Sequence, residues 1–431
     1  MKILAQTQLS NYDAGGTWIL ECDSGWQMVL GRVREILKLR PETSVTVTGP
    51  RRAALRTQPE QVTPDVMLDK RVTYVELDLI PNALATRFDF QFDSIARALA
   101  LDSQKQKLAA PFDVAYINDP MHLKNFAALF YIRGAKMPRF VVHSHFIDNP
   151  ECPKFPQQAS LWRGQLEAAA RADWNFWQCE SALNVFLDSA TKFMTASEIR
   201  AIRRRSVPWD DGYSATEISA PIDETKLRFD LMTLQKMRDE SAILFVPNRV
   251  GGRGRSSDYT NCGKFLFEIL PKLRQKLSPD LKLTVIAGNP SQKFANEELE
   301  RECGVASLVP DALNRDEVRA VMRASHVTVG LYDQDAYGGT AAREAIELGS
   351  VPAWIDNYEY ASLAAAADAS HLLARADMSD LADVIASLIS RVKSCEPSLE
   401  AARCRLQRVV RKTCALEHTT PLAMRALMGD S

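Results

Sequence analysis

The stretch LYDQDAYGGTAAREAIELGSVPAW, residues 331–354, decides how the chain is interpreted. The apolar run Val327–Leu331 leads into it and predicts a buried strand, and Val351–Ile355 predicts the next strand. Between them, a glycine turn opens a predicted helix over Ala341–Leu348, which Gly349 ends. A strand, a turn, a helix and a second strand in this order indicate an α/β domain.

The turn at Gly338, Gly339 and Thr340 has the composition of an anion site. Backbone N–H groups at a helix start carry the positive end of the helix dipole, which suits a phosphate. Two acids, Asp335 before the turn and Glu344 inside the helix, offer acceptors for sugar hydroxyls. This combination suits a nucleotide-sugar. An ordinary strand–turn–helix that Thr340 caps fits the same residues, so both interpretations stay open.

Length and composition exclude several classes of protein. A chain of 431 residues predicts two to three domains, and a formal net charge of −1 does not indicate a general electrostatic grip on nucleic acid or anionic membrane. The eight cysteines are scattered without a C-x-x-C pair, which favours reduced, buried thiols. The start MKILAQTQ predicts a strand and not a signal peptide, and no apolar run has spanning length. We expect a cytoplasmic protein without integral membrane contact.

Strands and helices alternate in the first half of the chain. The predicted strands are Lys2–Gln6, Ser44–Thr48, Val72–Leu79, Phe112–Ile117, Arg139–His145 and, as the last of the first domain, Thr216–Asp223; the predicted helices are Trp26–Leu39, Phe90–Leu101, His122–Ile132 and Ser160–Asn175. This alternation predicts a parallel sheet with crossover helices. Ligands of such sheets bind beyond the carboxyl ends of the strands.

Three pairs of residues lie at or beyond the carboxyl ends of predicted strands and are therefore candidates: Gly15 and Gly16, Asn118 and Asp119, and His143 and His145. Glycines without side chains allow close approach to a phosphate, although a tight turn explains them equally well. The histidines are two apart on a strand and face the same side, where they could hydrogen-bond a reacting sugar. A zinc pair would need two more ligands, and only His122 and Asp119 are near in sequence. Structural histidines bonded to backbone groups are the third alternative.

A run of arginines in the first half raises the question of nucleic acid. Arg200, Arg203, Arg204 and Arg205 are clustered, with Trp209 close behind. Clustered arginine beside an aromatic is typical of a phosphate-backbone contact. A solvated helix face is the alternative.

The second half repeats the alternation. It predicts strands at Ala242–Pro247, Leu281–Gly288, Ala306–Val309 and Val327–Leu331, and helices at Lys264–Leu277, Ala295–Glu302, Arg315–Ala324, Leu381–Val392 and Leu399–Leu427. The loop Asn248–Arg255 follows the first of these strands and holds three glycines and three arginines, which makes it a plausible anion cradle. It is not a P-loop, because the G-x-x-x-x-G-K-[ST] pattern is absent. A flexible exposed loop is the alternative.

Together these patches resemble the GT-B glycosyltransferases, in particular their retaining branch. The resemblance covers nearly the whole chain and is carried by 112–129, 139–145, 171–181, 220–223, by Pro247-Asn248-Arg249 with Lys264, and by Asp335 through Glu344. The motif from Asp335 to Glu344 is similar to the family's E-x7-E signature. It continues as E-A-x-x-x-G-x-x-P through Glu344, Ala345, Gly349 and Pro352. Four features depart from the family: the first acid is Asp335, one extra residue separates it from Glu344, Lys264 follows Gly263 where the family usually has the lysine first, and Asn118 stands where a histidine is common.

The resemblance implies a fold and an activity. The fold is α/β, with two Rossmann-like domains facing across a cleft: residues 1–225 on the acceptor side, 240–395 on the donor side, and a C-terminal helix over 396–431 that packs back toward the first domain. The activity is transfer of a hexosyl or pentosyl group from a nucleotide-sugar, as co-substrate, to a hydroxyl acceptor with retention. No other cofactor and no metal are expected.

It also implies roles for residues. His143, His145 and Asp335 are the catalytic candidates; Gly15, Gly16, Arg249, Lys264, Tyr337, Gly338, Gly339, Thr340 and Glu344 are the donor-binding candidates; and Asn118 and Asp119 lie on the acceptor side. The acceptor is a saccharide or small molecule, or a hydroxylated base in DNA held through Arg200, Arg203, Arg204 and Arg205. A nucleotide-sugar-binding protein without catalysis, or another GT-B-shaped enzyme such as a phosphorylase or epimerase, is the remaining alternative.

Overall fold

The computed structural model describes residues 1–7, 9, 12–13, 15–79, 104, 107–108, 110–145, 147, 158–209, 213–250, 260–290, 293–310, 313–331 and 340–429. The chain forms two compact units. The first unit is Met1–Gly212 with Leu416–Ser431, and the second is Tyr213–Ala415. The chain therefore passes from one unit to the other after residue 212 and again after residue 415, whereas the sequence suggested boundaries near 225, 240 and 396.

The first unit is built on a seven-stranded sheet in which every neighbouring pair is parallel. Its strands are β1 (Lys2–Gln6), β2 (Ser44–Pro50), β3 (Val72–Leu77), β4 (Val114–Ile117), β5 (Arg139–Ser144), β6 (Trp174–Trp177) and β7 (Ser206–Pro208). They lie in the order β3-β2-β1-β4-β5-β6-β7. The order reverses between β1 and β4, which makes the carboxyl ends of these two strands the switch point of the sheet.

Helices cover this sheet. The longer ones are Ser24–Leu39, Leu123–Ile132, Gln158–Arg171, Glu180–Ala190, Ala196–Arg204 and Leu416–Met428, with single turns at Pro59–Val62 and Pro64–Met67. Local signals start them: Asp23 accepts the N–H of Trp26 at 2.9 Å, and Thr195 and Glu198 form a capping box. Trp18, Trp26, Trp177 and Trp209 are fully buried in the unit.

The second unit repeats the architecture with six parallel strands. They are β8 (Ala242–Val250), β9 (Leu283–Pro290), β10 (Val305–Ala306), β11 (Val327–Gly330), β12 (Val351–Ile355) and β13 (Leu373–Ala374). Their order is β10-β9-β8-β11-β12-β13, so the switch point lies between β8 and β11. The helices are Ala215–Ser219, Leu231–Glu240, Thr260–Lys264 (which continues through a π-helical turn, Phe265–Ile269, into Leu270–Lys276), Lys293–Cys303, Arg315–Ala324, Thr340–Glu347, Tyr358–Ala366, Leu381–Lys393 and Pro397–Cys414.

Three sequence-based predictions of secondary structure are wrong. Thr216–Asp223 is not a strand, because its first residues belong to the helix Ala215–Ser219, which Ser214 caps by accepting the N–H of Glu217 at 3.1 Å. The helix predicted over Ser160–Asn175 ends at Arg171, and the aromatic Trp174–Trp177 pairs with β5 instead.

The third concerns the end of the chain, where one helix was predicted over Leu399–Leu427. Ala415 adopts an extended backbone, φ −64° and ψ 136°, and divides it into Pro397–Cys414 and Leu416–Met428. The break coincides with the passage between the units. The helix predicted over Phe90–Leu101 lies outside the described residues. In the part of the chain that is described, no helix combines the length and apolarity needed to cross a membrane.

We expect Gly330→Ala to destabilise the second unit by about 1–3 kcal/mol, the usual cost of overpacking. Gly330 ends β11, and a Cβ there would lie 2.6 Å from Cδ1 of Trp354. The Trp354 indole has little room to move away, because it stacks on Tyr360 with ring centroids 4.2 Å apart. Trp354 is the only tryptophan in residues 213–415, so its 5-fluorotryptophan resonance during urea unfolding reports on the second unit.

Gly263→Ala is the matched control. An added Cβ at Gly263 meets no atom within 4 Å, and the residue lies in the helix Thr260–Lys264. Alanine there should leave stability unchanged or raise it by about 0.5–1 kcal/mol. Equal unfolding midpoints for the two variants would contradict the close approach of Gly330 to Trp354.

Candidate functional site

The carboxyl ends of β1, β4 and β5 bring polar residues together in the first unit. Asn118 follows β4, and its N–H donates to Oε1 of Gln6, the last residue of β1, at 2.8 Å. His143 lies near the carboxyl end of β5, and His145 directly follows that strand. Because β1 and β4 flank the switch point, the sequence-predicted residues Asn118, His143 and His145 meet where ligands of open α/β sheets bind.

A hydrogen-bonded group of five side chains fills this position, and we call it the switch-point cluster: Arg32, Tyr116, Asn118, His143 and His145. Arg32 Nη1 donates to the Tyr116 hydroxyl at 2.6 Å, and that hydroxyl lies 3.0 Å from Asn118 Oδ1. His143 Nδ1 is 3.1 Å from the Tyr116 hydroxyl, and His143 Nε2 is 3.4 Å from Arg32 Nη2. His145 Nε2 lies 2.7 Å from Asn118 Oδ1. All five side chains are buried.

The guanidinium of Arg32 enters the cluster from the helix Ser24–Leu39. It lies 5.0 Å from the ring of Trp209 and 6.0 Å from that of Tyr116, within the range of cation–π attraction. Sequence reasoning missed both Arg32 and Tyr116. A signal existed, because Arg32 shares the buried helix face with Val29 and Ile36, where an arginine is unexpected.

Burial sets the protonation state of His143. Desolvation lowers the pKa of His143 well below its usual range, and the charges of Arg32 and His145 lower it further. The imidazole is therefore neutral at pH 7. A neutral ring hydrogen-bonds a hydroxyl group but does not supply a proton as an imidazolium would.

Gly15 and Gly16 form a tight turn. Asp13 Oδ1 accepts the N–H of Gly15 at 2.8 Å and that of Thr17 at 2.9 Å, and Gly16 has φ 82° and donates to the Asp13 carbonyl at 3.0 Å. These contacts correspond to the tight-turn alternative, since both glycine N–H groups are used inside the turn.

Asp119 also has a local partner. Its Oδ1 accepts the N–H of Met121 at 3.0 Å, which caps the short turn Pro120–His122 before the helix Leu123–Ile132. In the described part of the chain, no group of three or more His, Cys, Asp or Glu side chains is arranged to hold a metal ion.

In the second unit, β8 and β11 flank the switch point; the predicted donor stretch 248–255 overlaps the end of β8, and 335–344 follows β11 in the sequence. Arg249 lies in β8 and pairs with Asn289 of β9 after a register shift that starts at Val246. Its side chain, and the predicted site residues Asp335, Tyr337, Gly338 and Gly339, lie outside the described residues. Thr340 is described and begins the helix Thr340–Glu347.

Lys264 and Glu344, the other donor candidates, have partners within the unit. Lys264 Nζ donates to the Asp377 carbonyl at 2.6 Å. The Glu344 side chain is 1 % exposed, and its two oxygens lie 2.6 and 2.7 Å from the terminal nitrogens of Arg315. Of the two contacts, Arg315 Nη1 to Oε2 is a hydrogen bond, whereas Oε1 has no hydrogen-bond partner among the described residues and keeps capacity for a sugar hydroxyl.

Arg315 is the charged partner that sequence reasoning missed on this side. It is the first residue of the helix Arg315–Ala324, and its Nε lies 3.7 Å from Glu217 Oε1. Burial opposes the charge, but Glu344 and then Glu217 outweigh it and raise the pKa of Arg315. The guanidinium therefore stays charged and holds the Glu344 carboxylate in one orientation.

The basic segment is mostly a solvated helix face. Arg200, Arg203 and Arg204 are exposed on the helix Ala196–Arg204. Arg203 donates to Asn184 at 2.7 Å and to Glu180 at 2.8 Å, within the unit. Arg205 donates to the carbonyls of Ala172 and Ala170, at 2.9 and 3.1 Å. Two of the four arginines, Arg203 and Arg205, thus have hydrogen-bond partners within the unit.

No protein-family model and no curated protein matches the sequence. Solved structures do. Anabaena Alr3699/HepE in complex with UDP-glucose has a TM-score of 0.65 at 14 % identity, with 100 % of both chains covered. The E. coli trehalose-6-phosphate structure bound with UDP-2-fluoro glucose has a TM-score of 0.62 at 16 % identity, with 99 % of both chains covered. An α,α-trehalose-phosphate synthase (UDP-forming) from Burkholderia vietnamiensis has a TM-score of 0.64 at 16 % identity, with 100 % of this chain and 97 % of that chain covered. The likeness confirms the predicted fold class, two parallel-sheet α/β domains of GT-B type.

Proposed function

We propose that this chain is a glycosyltransferase that moves a sugar from a nucleoside-diphosphate sugar to a hydroxyl acceptor with retention of the anomeric configuration. The order of the second sheet carries the proposal. Its switch point lies between β8 and β11; of the two stretches with anion-binding composition, 248–255 overlaps the end of β8 and 335–344 follows β11 in the sequence. Solved neighbours that hold UDP-glucose or UDP-2-fluoro glucose on this fold support the same function.

The donor diphosphate needs positive charge as the bond to the sugar breaks. In the proposal, Arg249, Lys264 and the N–H groups at the start of the helix Thr340–Glu347 stabilise the developing charge. Glu344 accepts a hydrogen bond from the ribose while Arg315 holds its carboxylate, and Asp335 orients the sugar. Since side chains and a helix terminus supply the counter-charge, the proposed reaction proceeds without a metal.

The acceptor we propose is a saccharide or small hydroxylated molecule. The amide of Asn118 in the first unit, which lies beside the neutral imidazole of His143, is a hydrogen-bonding group suited to hydroxyls. A base in DNA is less well supported, because Arg203 and Arg205 already have partners inside the unit.

The test begins with thermal-shift measurements on the full chain with UDP, UDP-glucose and a panel of other nucleotide-sugars. The nucleotide that stabilises it is then used to follow donor hydrolysis and transfer. We expect Arg249→Ala and Lys264→Ala to lower turnover by about 10²–10³-fold, as for the loss of one group that stabilises developing charge. NMR of the anomeric proton in the product tests retention.

Matched controls are Arg301→Ala and Lys236→Ala, whose side chains are 72 % and 76 % exposed in the same unit. They should leave turnover unchanged. Unchanged turnover in Arg249→Ala and Lys264→Ala as well would refute the proposed donor site. Stabilisation by a nucleotide without turnover of any donor would instead favour a binding protein, which the extra residue between Asp335 and Glu344 permits.

A further inference from the structure

We propose that Arg32 is a positioning residue that fixes the tautomer of His143 and the amide orientation of Asn118, so that the Asn118 amide presents its N–H groups to a ligand oxygen. The first half of this inference concerns the free protein. The second half, that the oxygen belongs to a saccharide, rests on the proposed function.

The hydrogen-bond direction follows from Arg32. A guanidinium donates and never accepts, so His143 Nε2, 3.4 Å from Arg32 Nη2, must be the unprotonated nitrogen. A neutral imidazole carries one proton, which then lies on Nδ1 and is donated to the Tyr116 hydroxyl at 3.1 Å. That hydroxyl also accepts from Arg32 Nη1 at 2.6 Å, which leaves its own proton free to donate.

The hydroxyl proton of Tyr116 is directed at the side chain of Asn118. The Tyr116 hydroxyl donates to Asn118 Oδ1 at 3.0 Å, and His145 Nε2 donates to the same oxygen at 2.7 Å. Arg32 Nη1 points at it as well, at 3.5 Å. A flipped amide would turn its NH₂ group toward the arginine, where two donors would oppose each other. The cluster therefore allows one amide orientation, in which Oδ1 accepts and Nδ2 points away.

The NH₂ group of Asn118 is the unsatisfied end of this chain of hydrogen bonds. The residue is 0 % exposed, and Nδ2 has no hydrogen-bond partner among the described residues. A buried donor without a partner is costly, and such a group in a native fold needs an explanation. Its position after β4 at the switch point is where a ligand is expected. Two N–H groups in the neighbourhood of a cationic guanidinium suit an oxygen acceptor, which in the proposed reaction is a saccharide oxygen.

The experiment reads the imidazole nitrogens directly. The full chain is labelled with ¹⁵N-histidine, and His143→Gln assigns the ring signals among the six histidines. In the wild type we expect His143 as the pure Nδ1–H tautomer. Arg32→Met, which has a similar stem without the donors, should give a mixture or the Nε2–H tautomer, and Arg32→Lys should recover part of the Nδ1–H form.

Tyr116→Phe is the matched control, since it removes a hydroxyl from the same cluster and keeps Arg32. It should leave Nε2 of His143 unprotonated. An Nε2–H tautomer in the wild type overturns the inference even if Arg32→Met fails to fold. An unchanged tautomer in a folded Arg32→Met, or a change in Tyr116→Phe alone, overturns it too.

Kinetics tests the ligand-facing half. If the chain transfers sugar, Arg32→Met should raise the acceptor KM about three- to tenfold with kcat little changed, which is the loss of about one hydrogen bond in binding. Asn118→Ala should have the same effect, and the two should not add because they remove one interaction. Unchanged KM in both variants overturns this half. If no donor is turned over, the proposed function is refuted, and the NMR measurement still tests the role of Arg32 in the free protein.

Discussion

Arg315→Met is expected to lower the free energy of unfolding of the second unit by about 3–5 kcal/mol, the usual cost of leaving one member of a buried ion pair alone. Glu344 is 1 % exposed and Arg315 25 % exposed; Arg315 Nη1 donates to Glu344 Oε2 at 2.7 Å, and Nη2 lies 2.6 Å from Oε1 as an ion pair. Methionine fills part of the volume but supplies no charge or donor. Urea unfolding followed through the fluorine resonance of Trp354 measures the loss.

A double-mutant cycle separates the pair from its surroundings. Glu344→Met alone leaves Arg315 with Glu217 at 3.7 Å and a partly exposed guanidinium, so its loss should be smaller. The double variant Arg315→Met with Glu344→Met removes both charges and should recover much of the stability. Arg301→Met, which breaks the exposed pair with Glu302, should stay within about 0.5 kcal/mol of the wild type. If Arg315→Met lost no more than that control, Glu344 would not be desolvated.

The consequence for function is that Glu344 is held before any ligand arrives. A carboxylate with both oxygens beside a guanidinium, one of them hydrogen-bonded, is restricted in orientation, which reduces the entropy that a ligand must remove on binding. If Glu344 meets a ribose, Arg315 sets where the ribose hydroxyls lie. The stability cycle is therefore also a test of how well the donor side is organised in the free protein.

The sequence predicted elements whose ends are set by local chemistry. The helix Arg315–Ala324 was predicted with the observed bounds, since Asn314 and Glu317 form a capping box at its start. The strand Val351–Ile355 was also predicted as observed, because it is a short apolar run after a helix-ending glycine. The strand predicted over Thr216–Asp223 was wrong although its cap is local, because Ser214 accepts the N–H of Glu217 and starts the helix Ala215–Ser219. The single helix predicted over Leu399–Leu427 was wrong because the chain passes between the units after residue 415, which the local pattern does not mark.

The residues of the candidate site also differ in how far local sequence could predict them. Asn118, His143 and His145 became candidates because each lies at or just beyond the carboxyl end of a predicted strand, and the rule that ligands bind at carboxyl ends needs no long-range information. Arg32 and Arg315 were missed because their partners are far away along the chain: 111 residues separate Arg32 from His143, and 29 separate Arg315 from Glu344. Periodicity can mark an arginine on a buried helix face, but it does not name the group that the arginine meets.

Acidification from about pH 6.5 to 4 should remove about 3 kcal/mol of stability from the second unit through His326 alone. The side chain is 7 % exposed, and its Nδ1 accepts the N–H of Ile243 in β8 at 3.0 Å, which requires an unprotonated nitrogen. Burial, then the charges of Lys393 and Arg238, lower the pKa of His326 from 6.5 to about 4. The unfolded chain takes up a proton below about pH 6.5 while the folded unit does not, so this stability is complete above that pH and is lost as the pH falls.

His326→Asn isolates this contribution from the carboxylates that titrate in the same range. The asparagine Oδ1 can replace Nδ1 as acceptor for Ile243 but does not titrate, so the variant should lose less stability than the wild type between pH 6.5 and 4. The Trp354 fluorine resonance reports on the second unit, whereas His143 lies in the first. Parallel pH profiles for the two proteins would show that His326 protonates as readily in the folded unit as in the unfolded chain, and its hydrogen bond to β8 would then not hold the neutral ring.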